Sequence, residues 1–199
     1  MHLLIPTAAF AATAAAVGFT IPEGQPEGVY MVSYNDQDEP IHEFISSLEV
    51  EGGSSIAPDN STEIDVILEE EKEDMEVKRS LYHRLHRRES DDRNCGGNDL
   101  DHNTDTVVEA LKRQCDPAGA IAGGKDFYSI IGSTVAYVCN FKFHKPLACW
   151  RDQLTASFTA ITEACGSYRS GWRILKGEDY YYSIGYEPAD KKFCDRGPY

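Results

Sequence analysis

The sequence predicts an α+β domain over residues 89–199. It is expected to be a two-layer α/β sandwich, with two helices on one face of a small antiparallel sheet, stapled by disulfides. Three observations predict this. All six cysteines, Cys95, Cys115, Cys139, Cys149, Cys165 and Cys194, fall in that segment. Two of its stretches carry apolar residues at helical spacing, and each is followed by a pair of stretches rich in strand formers. The order helix, two strands, helix, two strands puts the helices on one face of a sheet.

Residues 1–16 read as a secretory signal peptide. An apolar stretch begins after Met1-His2 and ends in small residues, with Ala14 and Ala16 fitting the A-x-A cleavage pattern. The stretch is shorter than the ~20 residues a membrane-spanning helix needs, so no membrane span is expected. Its n-region lacks Lys and Arg, and Pro6 would disturb a helix there.

Residues 17–88 read as an acidic pro-segment, mostly flexible. It holds no cysteine, and its 17 acidic side chains outnumber 6 basic ones. The run Glu69 to Asp74 cannot pack against itself and should be solvated. One hairpin is expected, with Val29 to Tyr34 and Ile41 to Ile45 joined across Asn35–Glu39. Two strands alone are marginal in water. An edge of the domain sheet would give this hairpin a surface to lie on.

Asn60-Ser61-Thr62 is a glycosylation sequon, which makes Asn60 the expected glycan acceptor. Lys78-Arg79 and Arg87-Arg88 stand just before the first cysteine, where composition changes most. Paired basic residues in an extended backbone suit the acidic subsites of a kexin-type processing protease. Cuts are therefore expected after Arg79 and Arg88.

In the cysteine segment a first helix is expected over Thr106 to Cys115. Thr106 and Glu109 have capping-box spacing, and Pro117 with Gly119 would stop it. After a Gly-rich turn come Phe127 to Ile131 and Ser133 to Phe143, with Gly132 at the bend. Trp150, Leu154, Phe158, Ile161 and Cys165 form one face of a second helix over Cys149 to Cys165, and Gly166 sits at its C-terminal cap. Tyr168 to Leu175 and Tyr180 to Glu187 are the closing strands.

An even cysteine count behind a signal reads as a disulfide framework in an oxidising compartment, so the product is expected to be secreted. Six cysteines allow 15 pairings, and the sequence leaves them open. Each bridge would stabilise by roughly 2–4 kcal/mol. No two cysteines are as close as zinc-ligand spacing requires, and no metal or other cofactor is expected. The formal charge of −14 argues against nucleic acid as a partner.

Several runs resemble the small secreted cysteine-rich effectors of fungi. They are Asn94-Cys95-Gly96, Ala136-Tyr137-Val138-Cys139-Asn140-Phe141, Cys165-Gly166-Ser167-Tyr168 with Gly171-Trp172, and Ser183-Ile184-Gly185-Tyr186 before Phe193-Cys194. The order of elements is similar to the killer-toxin-like α/β sandwich effectors and to the necrosis-inducing factor family. The resemblance implies a toxin-like or host-directed virulence protein, with no catalytic motif to carry over.

Two chemistries compete. A binder would meet a host or competitor protein or glycan through aromatic side chains. Tyr181, Trp172 and Tyr186 crowd two adjacent strands, where about half of the aromatics should be core and the remainder exposed. A small nuclease-like hydrolase would instead use His144 as acid or base, with Glu163 or Asp152 beside it and Arg151 or Lys145 holding phosphate. Ser133 lacks the Gly-x-Ser-x-Gly frame of a nucleophile elbow. The binder is the leading reading.

Overall fold

In the computed structural model the described residues are 17–48, 90–116 and 119–196. The expected signal peptide, the Asn60 sequon and the sites at Arg79 and Arg88 lie outside them. The described elements, in order, are β1 (Val17–Thr20), β2 (Gly28–Tyr34), β3 (Pro40–Ser46), β4 (Ser90–Asp99), α1 (Asn103–Arg113), β5 (Gly119–Ile121), β6 (Asp126–Ile131), β7 (Thr134–Asn140), β8 (Leu147–Cys149), α2 (Arg151–Cys165), β9 (Arg169–Lys176), β10 (Tyr181–Pro188) and β11 (Lys192–Arg196).

A seven-stranded antiparallel sheet, ordered β3-β2-β6-β7-β10-β9-β4, is the centre of the molecule. The two described helices pack on one face. On the other lies a two-stranded ribbon of β1 and β11, and β5 with β8 makes a second small ribbon. This corrects the expected fold class. The chain is β-dominated, with a wide sheet covered on both faces, and is not a two-layer sandwich of two helices on a small sheet. The physical reason is visible in β7, Thr134 to Asn140, which is buried along its whole length. A strand with one wet face would bury alternate residues only.

Two cores result. The helix-side core joins Val107 and Leu111 of α1 and Leu154, Phe158 and Ile161 of α2 to Val138, Ile184 and Tyr186 of the sheet. The ribbon-side core is aromatic. Phe19 stacks on Tyr128 at 5.3 Å and on Phe193 at 5.4 Å, and Tyr30 stacks on Tyr128 at 5.1 Å. Burying a side chain of this size contributes roughly 1.5–3 kcal/mol.

Residues 17–48 belong to this body. β2 pairs with β6 from Gly28↔Ile130 to Val32↔Asp126, and β1 pairs with β11. Phe19, Val29 and Val32 are fully buried. The boundary expected at residue 88 therefore does not divide the folded unit. The hairpin of the acidic segment supplies two of the seven strands.

The local starts differ from expectation for identifiable reasons. α1 begins at Asn103, with His102 at the N-cap position making no side-chain capping bond; the preceding Asp101 instead accepts from the Asn103 amide at 2.9 Å through its carboxylate and from the Thr104 hydroxyl at 2.7 Å through its carbonyl. Thr106 is an ordinary exposed residue inside the helix. Strand β4, Ser-Asp-Asp-Arg-Asn-Cys-Gly-Gly-Asn-Asp, has no β-former in it. It is held from outside, by pairing with β9 and by a covalent bond.

Three disulfides are present. Cys95–Cys165 ties β4 to the end of α2, Cys115–Cys149 ties the end of α1 to β8, and Cys139–Cys194 ties β7 to β11. Each pair has Cα atoms 5.3–5.4 Å apart, ordinary bridging geometry. Disulfides of this number mark a protein of an oxidising, secretory or extracellular compartment. Among the described residues, no helix is long and apolar enough to cross a membrane.

Candidate functional site

The two helices leave a groove lined from Thr104 to Lys112 along α1 and from Thr155 to Glu163 along α2, with a volume of about 320 Å³. Its walls follow from helix periodicity. On α2, Thr155, Thr159 and Thr162 recur at steps of four and three, so they form one polar stripe beside the apolar one. On α1, Thr104, Asp105 and Val108 face them across the groove. Phe158 and Tyr186 form its base, with ring centroids 5.9 Å apart.

Tyr168 stands at the mouth. Gly166 ends α2 with φ +96°, and Tyr168 follows with φ +54°, in the left-handed region that side chains rarely adopt. Such backbone is retained where surrounding contacts hold it. Here the Tyr168 hydroxyl donates to Asp105 Oδ2 at 2.8 Å, and the His102 ring packs T-shaped against the Tyr168 ring, centroids 4.8 Å apart. The bond to Asp105 pushes the Tyr168 phenol above its ordinary pKa. Tyr186, buried beneath, shares a 3.0 Å hydrogen bond with the Thr162 hydroxyl, and burial raises its pKa.

The groove is anionic. Asp105 and Glu163 line it as carboxylates. The only cation of the lining, Lys112, is a buried side chain whose ammonium is paired with Glu109. The site thus offers hydroxyl donors and acceptors, two carboxylates and aromatic rings. That chemistry suits a hydroxyl-rich or cationic group on a partner.

The residues singled out in the sequence are dispersed. Tyr186 is only 2 % exposed and reaches the groove through its hydroxyl end. Tyr181 and Trp172 lie on the opposite, ribbon-side face, both half-buried. Tyr181 packs on Phe141 at 4.7 Å with the Lys176 ammonium over its ring. The three do not form one exposed aromatic patch, because alternation along β10 sends neighbouring tyrosines to two different cores.

His144, Glu163 and Arg151 are not brought together either. Arg151 and Glu163 share α2 but stand twelve residues apart, about 18 Å along the axis. Arg151 is engaged with Glu109 at 2.6 Å and Asp116 at 3.5 Å, whereas Glu163 lines the groove. His144 is exposed on the loop between β7 and β8 and does not line the groove.

Asp126 lies within 4.8 Å of the sulfurs of Cys139 and Cys194. Those sulfurs are bonded to each other, so they offer no thiolate to a metal. The Asp126 carboxylate accepts from the Tyr34 hydroxyl at 2.6 Å and the Asn140 amide at 3.1 Å.

Sequence reasoning missed the pair Asp105–Tyr168 and the threonine stripe. The stripe was readable, as hydroxyl residues at helical spacing. The pair was not, since it joins residues 63 apart through tertiary packing. Searches for a matching family model, a related curated protein and a similar solved structure each found none.

Proposed function

We propose that the protein is a secreted effector or toxin-like binder. It is made as a pro-protein cut at the dibasic pairs ending in Arg79 and Arg88, and acts by binding a host or competitor protein or glycan. The groove between α1 and α2 is the contact site in this reading. The observation that carries it is Tyr168, held in left-handed backbone at the mouth by Asp105 over a base of buried aromatics. A rigid aromatic oriented by one carboxylate, with a second carboxylate, Glu163, in the same groove, has the composition of a binding hot spot. The three disulfides fit a protein that works outside the reducing cytosol.

The test compares the secreted protein with Tyr168→Ala, Asp105→Asn and His144→Ala variants. The readouts are binding to intact host or competitor cells and to immobilised glycans, with disulfide-dependent folding checked by circular dichroism. Groove variants should weaken binding by roughly tenfold or more, the scale of a lost hot-spot residue. His144→Ala should bind as the parent does. Unchanged binding by both groove variants, or RNA cleavage that His144→Ala abolishes, would refute the reading.

A further inference from the structure

We infer that processing does not discard the N-terminal segment: the mature protein is a two-chain complex, held without any covalent link between the chains. This rests on the proposed cleavage at Arg79 and Arg88, both of which fall between β3 and β4. All three disulfides join residues within 95–194, so a cut there frees residues 17–48 from every covalent tie.

Non-covalent contacts hold the segment at both ends of the hairpin and along its length. β2 lies inside the seven-stranded sheet with β6 as its partner, so losing it would unpair the edge of β6. Phe19, Val29 and Val32 are fully buried, and Tyr30 nearly so, in cores shared with residues 107–193. Polar locks cross the junction. The Tyr34 hydroxyl donates to buried Asp126 at 2.6 Å, and Glu27 accepts from the Gly132 amide at 3.0 Å. Arg113 donates to the Leu48 carbonyl at 2.9 Å and Gln114 to the Ser46 hydroxyl at 2.8 Å.

Departure of the segment would leave Tyr128, Phe193 and Asp126 without these partners. A buried carboxylate that loses its hydroxyl donor, keeping the Asn140 amide, and an unpaired sheet edge are both costly. The N-terminal chain is therefore a permanent subunit. Its β1 pairs with β11, which Cys139–Cys194 fastens to β7.

The experiment nicks the folded full chain in two ways. One sample is treated with a kexin-type protease. A second carries a foreign protease site inserted at Gly52-Gly53 and is cut by that protease. Denaturing, non-reducing gels count the chains, and native size exclusion at micromolar protein reports whether they stay together. Two chains on the gel that co-elute natively are the expected result for both samples. In the nicked protein, Phe19→Ala should raise the dissociation constant about 100-fold, the scale of an emptied core site. If the foreign site is cut and the chains co-elute while kexin leaves the parent intact, the processing reading fails and chain retention stands. Separation of the chains under native conditions in the nicked parent overturns the inference.

Discussion

Two glycines set how closely layers approach. A Cβ on Gly185 would lie 2.6 Å from the Tyr137 hydroxyl, 2.7 Å from Trp172 Cβ and 2.8 Å from the Gly171 carbonyl. One of these is backbone and one is the root of a side chain, so neither can swing aside. Tyr137 is itself fixed, its hydroxyl donating to Glu187 at 2.7 Å, and burial raises the pKa of both groups. Gly185→Ala should cost about 3 kcal/mol or more by overpacking, read as a lowered denaturant midpoint. Gly171, beside Gly185 in the sheet, has Ile161 and Cys165 of α2 within 2.9 Å of its missing Cβ. These contacts explain why glycine stands in the Gly171-Trp172 and Ile184-Gly185-Tyr186 runs, a role that the sequence hides. Asn140 is a comparable case: its amide donates to the carbonyls of Ile121, Ala122 and Lys145, tying two loops to the end of β7.

Among the elements, β4 takes its strand character from its neighbours. Arg93 and Arg173 stand opposite each other across β4 and β9, a repulsive pairing. Asp91 resolves it, accepting from Arg173 at 2.6 and 3.0 Å and from Arg93 at 2.9 Å. The Arg173 guanidinium, and then Arg93, hold its carboxyl below the ordinary aspartate range. A depressed carboxyl stabilises the fold above its unfolded pKa and loses that contribution as acid protonates it. β4 amides should therefore lose hydrogen-exchange protection as pH falls from about 4 towards 2, and Asp91→Asn should show the same loss already at pH 6. The readout must be local, because Glu187 shifts the opposite way and gains from protonation.

The legible elements are those that carry their own pattern. The β2–β3 hairpin, β6, β7, β9, β10 and both helices announce themselves by periodicity and by turn residues such as Gly132. β1, β4, β5, β8 and β11 do not, being short, charged or dependent on partners distant in sequence. Of the groove, only the threonine stripe had a local signature.

At the scale of the whole molecule, the fold class was misread because the second covering layer was invisible. The ribbon that shields the sheet's other face joins residues 17–20 to residues 192–196, nearly the full described chain apart. With residues 17–20 placed in a mostly flexible pro-segment, nothing is expected to cover the sheet's second face, although the unbroken run of Val135 to Cys139 fits a strand buried on both sides. The same ribbon makes the acidic segment part of the architecture, and the two cores follow from it.

The sheet has two ends, and among the described residues they are guarded unequally. β4 is fenced by charges and sulfur, whereas β3 shows Ile41, Phe44 and Ile45 at 51, 55 and 40 % exposure, with Pro40 at its start and Glu43 as its one acidic side chain. A terminal strand with three exposed apolar side chains and a single carboxylate is a template for ordered self-assembly in cross-β form. Concentrated stocks should accordingly scatter light and bind thioflavin with time, and Ile41→Lys should lengthen the lag without altering the melting temperature appreciably. How long the purified protein stays monodisperse is thus decided by three side chains on one strand.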